Sequence, residues 1–367
     1  MPIVGERERR IASNTVLAVL AVLAACIPDV QLKDNVSAAS VSGGGGGAPS
    51  SECVARALAE WRFDSALEEG LGATLTDLDG DDFADAAIAY QLSQKTQILW
   101  GASTPAAVVE TVVASTRPNG FVAHGDLNDD GLQDLVVPSV DAGGLTVMLQ
   151  KPKRVFSTTT VQEPNTGRVV LVDANDDELV DLLIQSADCY VLRPGKGTGD
   201  ILAANTGGGC YIGLPQAWEV HGGDFDGPGG SKSKSKVAIR YDGAWKLVTL
   251  SLTGPKDEEP IGLGLIDGAE VLQWEVADLD GDGRAEVAVY AKRPTGELFL
   301  ATHGQTSPRS FDTCIATALP PGATEAEQQS LALRAVGDVN GDKKPDLLFG
   351  RTSSFGATNN FFMVSVP

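Results

Sequence analysis

An aspartate-rich segment that recurs six times constrains the fold of this chain more than any other feature of its sequence. The first aspartates of successive copies are separated by 49, 47, 51, 54 and 60 residues. A repeat of about 50 residues is the size of one four-stranded blade of a β-propeller. The copies begin at Asp77, Asp126, Asp173, Asp224, Asp278 and Asp338. This spacing predicts an all-β chain that is built as a ring of similar blades.

The spacing of polar residues inside each copy predicts a calcium site. Five copies carry oxygen-bearing side chains at the first, third, fifth and ninth places, and a tight turn can aim such alternate residues at one centre. With a backbone carbonyl from the seventh place, they offer the roughly six oxygens that Ca²⁺ requires. We therefore expect about five calcium sites. The predicted ligands are Asp77, Asp79, Asp81 and Asp85; Asp126, Asn128, Asp130 and Asp134; Asp173, Asn175, Asp177 and Asp181; Asp278, Asp280, Asp282 and Glu286; and Asp338, Asn340, Asp342 and Asp346.

Two regularities favour metal binding over acidic turns that are simply solvated. The second place is non-polar in every copy, which aims it away from the ligands and into a core. Over nine places each, the six copies hold 23 of the 49 acidic residues, and carboxylates so crowded repel one another unless a cation is bound. Folding is therefore expected to depend on calcium. An EF-hand is excluded because its loop needs an acidic residue at place twelve, where this chain has Ile88, Val137, Ile184, Val289 or Phe349.

The fourth copy departs from the pattern, and we expect no metal there. Pro228 takes its fifth place and Lys232 its ninth, within an insert rich in glycine, serine and lysine. A lysine ammonium in place of the cation is one interpretation of this copy. A solvated, mobile loop is the interpretation that the composition favours.

Short β-branched and apolar runs bounded by Gly, Asp, Asn or Pro follow each copy, as is typical of strands and turns. Only Ala55–Trp61 and Glu325–Ala335 could hold a helical turn or two. The chain before the first copy and after the last together make about one blade, so six four-stranded blades are favoured over seven. Trp61-Arg62-Phe63 is expected to supply the missing strand of the last blade and to close the ring.

The beginning of the sequence is typical of an exported lipoprotein. Residues 1–25 combine a charged start with an apolar run that is short for a membrane span, and they lead into Leu23-Ala24-Ala25-Cys26. That tetrapeptide resembles a bacterial lipobox, which implies lipidation of Cys26; an ordinary signal peptide or an uncleaved anchor is the alternative. Residues 26–52, with five consecutive glycines, are interpreted as a flexible tether, and residues 53–367 as the propeller.

The four other cysteines suggest two disulfides in an exported protein, with free buried thiols as the alternative. Cys189 and Cys210 flank a glycine-rich turn, so we expect them to pair. Cys53 and Cys314 would then pair and join the start of the domain to a late part of the chain.

A search for catalytic motifs yields none, and the chain is predicted not to be an enzyme. His124, His221 and His303 stand beside acidic segments or strands, where structural roles are more common than catalysis. The five tryptophans do not recur at one blade position, which favours core packing over a sugar-stacking platform.

The Asp-x-Asp/Asn-x-Asp-Gly-x-x-Asp pattern followed by a strand, at this period, resembles the FG-GAP or VCBS repeat family, which includes the integrin α-subunit propeller. The resemblance covers residues 53–367. It implies calcium in loops on one face of a propeller, where the metal stiffens blades, and ligand binding on the opposite face.

The sequence thus predicts a calcium-stabilised, lipid-anchored propeller that serves as a binding or scaffold module at the bacterial cell envelope, with a protein or glycan ligand. The net charge of −21 makes nucleic acid an improbable partner, and membrane contact is expected through the lipid alone. A polysaccharide-acting hydrolase or lyase and a structural envelope protein are the alternatives. The missing aspartate after Cys26 favours the outer membrane or the cell surface.

Overall fold

The structure is a computed structural model that describes residues 51–52, 56–65, 70–104, 108–140, 144–162, 166–175, 177–186, 189–199, 219–226, 236–241, 243–263, 268–278, 284–307, 310–317, 331–341, 346–351 and 359–365. These residues form 24 strands and no helix. None of them belongs to a helix that could cross a membrane.

The strands are arranged in six sheets, which we call blades 1 to 6 and which are antiparallel except where β1 joins one of them in parallel. Two strands, β1 (Ser51–Glu52) and β2 (Arg56–Ser65), precede blade 1 in the sequence. Blade 1 contains β3 (Gly70–Thr76), β4 (Asp85–Tyr90), β5 (Lys95–Trp100) and β6 (Val109–Ala114). Blade 2 contains β7 (Ala123–Gly125), β8 (Asp134–Ser139), β9 (Gly144–Lys151) and β10 (Val155–Gln162). Blade 3 contains β11 (Val169–Val172), β12 (Asp181–Gln185) and β13 (Tyr190–Arg193).

The second half of the ring follows the same order. Blade 4 contains β14 (Glu219–Gly222), β15 (Lys236–Tyr241), β16 (Ala244–Thr249) and β17 (Asp257–Pro260). Blade 5 contains β18 (Glu270–Ala277), β19 (Glu286–Lys292), β20 (Leu298–Ser307) and β21 (Ser310–Thr317). Blade 6 contains β22 (Leu331–Gly337), β23 (Asp346–Arg351) and β24 (Asn359–Ser365).

The ring is closed, which confirms the six-bladed architecture. The first strands of the blades, β3, β7, β11, β14, β18 and β22, contact one another in cyclic order, and β22 returns to β3. Strand β2 adds to blade 6 as its outermost strand, with Phe63 opposite Phe361. Trp61-Arg62-Phe63 therefore closes the last blade, as predicted. The two stretches that could have held helical turns are instead strand where they are described, because β2 pairs with β24 and β22 pairs with β23 in this sheet.

The core consists of wedges between adjacent blades. The second strand of a blade has apolar neighbours on both faces, so β4 and β8 are buried at every position. Trp100 of blade 1, for example, packs in one cluster with Val137 and Met148 of blade 2. Outer strands such as β10 are instead exposed at most positions. The residues that follow each acidic segment form the second strand of a blade, and they are apolar because this strand packs against the two neighbouring blades.

Both predicted disulfides include one cysteine that lies among the described residues. Cys189 is disulfide-bonded; Cys210, its predicted partner, lies outside the described residues. Strand β1 pairs in parallel with β21, which places Ser51 opposite Cys314. Cys53 and Cys26 also lie outside the described residues.

Candidate metal loops and axial cavity

The ninth place of each complete acidic segment is a buried carboxylate that begins the second strand of its blade. Asp85, Asp134, Asp181 and Asp346 have no exposed surface, and Glu286 is 2% exposed. Because the strand starts at this residue, its side chain turns back under the loop that precedes it.

Backbone amides orient these carboxylates. In four loops one carboxylate oxygen accepts a hydrogen bond from the amide of the second place: Leu78 N at 2.8 Å, Leu127 N at 3.0 Å, Ala174 N at 2.9 Å and Val339 N at 3.0 Å. In three of them the other oxygen accepts from an amide near the end of the third strand: Gly101 N at 2.6 Å, Gln150 N at 2.7 Å and Gly195 N at 2.6 Å. Each carboxylate therefore joins its loop to the sheet.

Burial makes these carboxylates costly to ionise without a cation. It raises the pKa of Asp85 to about 7 and those of Asp134 and Asp181 to about 6, against the opposing effect of their backbone hydrogen bonds. Neighbouring loop aspartates raise these pKa values further. A bound divalent cation would supply the compensating charge.

The first-place aspartate folds the loop around itself. Asp77 accepts hydrogen bonds from Gly80 N at 2.7 Å and from Asp82 N at 2.9 Å. The loop bends at its sixth place, where the backbone is left-handed: φ is 68° at Asp82, 84° at Gly131 and 69° at Glu178. Glycine is favoured at such positions, and a non-glycine residue there is strained.

In the first loop, Asp77, Asp79 and Asp85 bring one oxygen each within 4.8 Å of one another. This spacing suits a shared cation, and these are the first, third and ninth places of the predicted set. Asp79 has in addition a buried oxygen, Oδ1, without a hydrogen-bond partner in the described part of the chain. The first loop is therefore the best-assembled candidate metal centre among the described residues.

The third place separates the loops into two kinds. Where it is asparagine, its amide donates to the fifth-place aspartate: Asn128 to Asp130 at 3.0 Å, and Asn175 to Asp177 at 2.9 Å. Where it is Asp79, a guanidinium lies on it instead. Arg154, from the turn between β9 and β10, places Nε 2.5 Å from Asp79 and Nη2 3.2 Å from Asp81.

The fourth loop contains an internal cation. Lys236 begins β15, the place that a carboxylate takes in the other blades, and its Nζ lies 2.6 and 2.7 Å from the two carboxylate oxygens of Asp226. A lysine ammonium thus lies beside the aspartate of this copy, and the lysine is Lys236. Counting nine places gave Lys232, which lies outside the described residues, because the insert displaces the strand start.

The remaining predicted ligands are partly described. In the sixth loop Asp338 accepts from Gly341 N at 2.8 Å, with Asn340 beside it and Asp346 beneath. Asp278 ends the described part of the fifth loop. Asp280, Asp282 and Asp342 lie outside the described residues.

The loops also join adjacent blades. The carbonyl oxygen of Asp338 in blade 6 accepts from Ala84 N in blade 1 at 2.7 Å, and that of Asp224 in blade 4 accepts from Ala285 N in blade 5 at 2.7 Å. A change that stiffens a loop is therefore transmitted to the junction with the next blade.

A cavity of about 1440 Å³ runs along the axis of the ring, lined by the first strands of all six blades. The six first-place aspartates line it where these strands lead into the loops. A second polar cluster, at the seam of blades 3 to 5, contributes Arg168, His221 and Glu275.

This second cluster forms a chain of contacts. Arg168 Nη1 donates to Nε2 of His221, and Glu275 Oε2 lies 3.1 Å from Nδ1 of the same ring, whose N–H donates to it. Burial, aided by Arg168, lowers the pKa of His221. Burial alone would raise the pKa of Glu275, but His221 and Arg168 outweigh it and leave that pKa below its ordinary value.

The sequence predicts a structural role for His221 and gives no sign that these three residues meet. Arg168 immediately precedes β11, whereas His221 lies in β14 and Glu275 in β18, so the three residues come from three blades and no spacing in the sequence relates them. Of the other histidines, His124 Nδ1 lies 2.8 Å from Thr74 Oγ1, and His303 is fully buried.

No family model and no curated protein matches this chain. Solved structures match its shape. The chain is similar to BBS1N, solved in complex with ARL6DN, at 12% identity over 86% of this chain and 98% of that one, with a TM-score of 0.49. It is also similar to the PQQ-bound aldose sugar dehydrogenase of Streptomyces coelicolor, at 12% identity over 87% of this chain and all of that one, with a TM-score of 0.42. At such identities the likeness concerns the fold, and it carries no argument about activity.

Proposed function

We propose that this protein is a calcium-stabilised propeller of the FG-GAP/VCBS type that acts as a binding or scaffold module at the cell envelope. The observation that carries the proposal is the repeated buried carboxylate beneath an aspartate-rich loop. Four such loops share the same hydrogen bond from the second-place amide. A carboxylate that is buried and oriented in this way, beside further aspartates, has the position and the charge that a calcium ligand requires.

The metal's proposed role is structural. The candidate ligands lie in loops whose backbones hydrogen-bond to the next blade, as at Asp338 and Ala84. Calcium there would remove the repulsion among the carboxylates and lock the blade junctions. Because calcium would bind the folded ring and not the unfolded chain, it would stabilise by mass action.

The test is thermal unfolding of residues 53–367 with saturating calcium and with chelator, together with the calcium stoichiometry. We expect a calcium-restorable loss of melting temperature of more than about 10 °C, because several sites each contribute. About five ions per chain are expected, none at the fourth loop. Identical melting curves in the two conditions would remove calcium from the proposal.

The anchor is proposed at Cys26, followed by the tether 26–52. Mass spectrometry of the membrane-extracted protein should find a mature chain that begins with a lipidated cysteine, and Cys26→Ser should release it from the membrane. A mature N-terminus elsewhere would contradict the anchor and leave the calcium proposal intact.

The proposed disulfides are Cys189 to Cys210 and Cys53 to Cys314. The disulfide at Cys189 and the pairing of β1 with β21 next to Cys314 support them. Non-reducing peptide mapping decides between these and the two other pairings of the four cysteines.

The binding role predicts saturable capture of an envelope protein or glycan without turnover. Release of shortened products from a panel of polysaccharides would instead favour a hydrolase or lyase on the same scaffold.

A further inference from the structure

We propose that Asn340 is a site of covalent modification, at which spontaneous deamidation converts the third place of the sixth loop to aspartate and a cation bound in that loop slows the reaction. The control by a cation rests on the proposed calcium binding, whereas the modification itself does not.

The sequence contains two Asn-Gly pairs, Asn119-Gly120 and Asn340-Gly341. Asparagine is a thermolabile residue. It is most labile before glycine, because glycine has no side chain to hinder the approach of its backbone nitrogen. Both pairs lie in the described part of the chain, so their surroundings can be compared.

The reaction needs no partner other than water. The backbone nitrogen of the glycine attacks Cγ of the asparagine, and a new C–N bond closes a cyclic imide. The bond between Cγ and the side-chain nitrogen breaks, and that nitrogen leaves as ammonia with the proton of the glycine amide. Water then opens the imide at either carbonyl and gives aspartate or isoaspartate. The reacting atoms must come close together, so a side chain that is held elsewhere is protected.

Asn119 is held away from this geometry. Its Nδ2 donates to Thr166 O at 2.7 Å and to Gly167 O at 2.9 Å. Its Oδ1 accepts from Phe121 N at 3.2 Å. The two carbonyl groups precede β11 of the next blade, so the amide is fixed between two blades. Attack at Asn119 therefore requires contacts between blades to break.

The pair Asn340-Gly341 lies in a surface turn instead. Asn340 is partly buried and Gly341 is exposed. The attacking nitrogen, Gly341 N, donates to Asp338 Oδ1 at 2.8 Å, in a hydrogen bond that is open to solvent. Such bonds open locally at little cost, and repulsion among the carboxylates of a metal-free loop favours the opening. A bound cation would remove that repulsion and keep the nitrogen in place.

The fold requires glycine after Asn340. The backbone of Gly341 is left-handed, with φ of 73°, and a Cβ atom there would lie 2.7 Å from Cε1 of Phe83 in the first loop. Strain and lack of space thus both exclude a larger residue. The residue that makes Asn340 labile is therefore fixed by the junction of blades 6 and 1.

The other repeats show that the product suits the loop. The third and fourth places are Asp-Gly in the first, fourth and fifth copies, and Asn-Asp in the second and third. The sixth copy alone combines asparagine with glycine. Every other copy with glycine at the fourth place thus has aspartate at the third, which is the residue that deamidation of Asn340 produces.

The modification changes how the sixth loop binds calcium. Aspartate replaces a neutral amide oxygen with a charged ligand, and ligand charge is one of the factors that set calcium affinity. Isoaspartate has the opposite effect, because its lengthened backbone displaces the turn around Asp338. The number and strength of the calcium sites would therefore change as the protein ages.

The experiment is prolonged incubation of the protein in mildly alkaline buffer, with calcium and with chelator, followed by peptide mass spectrometry. With chelator, we expect Asn340 to convert at least about 10-fold faster than Asn119, which serves as the control within the same chain. Calcium should slow the conversion of Asn340 by at least about 5-fold and leave that of Asn119 unchanged.

The possible failures are distinguishable. Conversion of Asn340 no faster than that of Asn119 would overturn the modification site. Equal rates with calcium and with chelator, in a protein whose melting temperature calcium raises, would overturn the control by a cation and leave the calcium proposal intact. If calcium changes neither the rate nor the melting temperature, the proposed function fails and the modification site remains.

Variants assign the modified residue and its effect. Asn340→Gln should abolish conversion at this position, because its longer side chain closes a larger ring less readily, and its melting temperature verifies that it is folded. Asn340→Asp should tighten calcium binding at one site by about 5-fold relative to the fresh protein. Calcium binding by Asn340→Asp that is no tighter would refute the effect on affinity.

Discussion

The loops of blades 1 and 4 both place a cation beside the aspartate at their third place, but the two cations come from different parts of the fold. Both have an aspartate at the third place, Asp79 and Asp226, and both pair it with a cation from the chain. In blade 4 the cation is Lys236, whose side chain is 9% exposed. Lys236 is part of β15, in the same blade as the aspartate. In blade 1 it is Arg154, whose side chain is 33% exposed and comes from a turn of the neighbouring blade. If calcium binds as proposed, Lys236 replaces it in blade 4, whereas in blade 1 it would displace Arg154 from Asp79.

The origin of Arg154 reinforces this difference. Lys153 and Arg154 both have left-handed backbone conformations, with φ of 73° and 62°, and the guanidinium lies 4.9 Å from the centre of the Trp100 ring. A strained turn can relax when its contact is lost. Lys236, in contrast, continues a regular ladder with Thr249.

The largest expected effect is the removal of the fixed cation. Lys236→Met leaves the carboxylate of Asp226 without its ammonium, and such a loss from a buried pair costs about 3 kcal/mol or more. The free energy of unfolding, measured with urea in calcium and in chelator, should fall by the same amount in both. Lys246→Met is the matched control, because its pair with Glu258 is exposed, and it should change stability by less than about 0.5 kcal/mol. A calcium-dependent loss in Lys236→Met would mean that blade 4 binds metal after all.

The next effect is on the number of calcium ions bound, which should depend on Asp79 and not on Asp226. Asp79→Ala should reduce the calcium stoichiometry by one and remove about 1–2 kcal/mol of the calcium-dependent stability, since one ligand set is lost. Asp226→Ala should leave the stoichiometry unchanged. If both variants lose one ion, or neither does, the two loops are alike and the comparison fails.

The stabilisation by calcium should depend on pH in a defined direction. Because the pKa values of Asp85, Asp134 and Asp181 are raised, the metal-free protein is stabilised while these groups are protonated and loses that stability as the pH rises towards 7. Calcium requires the ionised form. The gain in melting temperature on adding calcium should thus be small at pH 5 and grow by several degrees, about 5 °C, up to pH 7.5. Taking the difference at each pH cancels the histidine titrations that both forms share, and a gain that is flat with pH would count against these carboxylates as ligands.

The smallest effect is the release of the displaceable cation. Arg154→Gln should change stability by less than about 1 kcal/mol, because the pair is half-exposed, and should tighten calcium binding at the first loop by about 5-fold. Lys153→Gln is the control on the same turn. It removes a charge with the same left-handed backbone but without the contact to Asp79. Equal tightening in both variants would indicate a general effect of charge, not displacement of Arg154.

The features that repeat were predictable, and the features that occur once were not. The period, the apolar second place and the ninth-place carboxylate each follow from one sequence pattern, and the second place packs in the core at Leu78, Leu127 and Ala174. The contact of Arg154 with Asp79 joins residues of different blades, so no local rule could find it. The sequence pattern does not identify Lys236, because the insert moves the start of the strand away from the ninth place of the segment.

The sharing of one sheet by β2 and β24 has a consequence for how the ring is made. Phe63 cannot pair with Phe361 until nearly the whole domain has been synthesised. The last sheet therefore forms between strands that are far apart in the sequence, and its closure costs the most chain entropy. We therefore expect ring closure to be the slow, final event of folding, after the other blades have formed as local meanders.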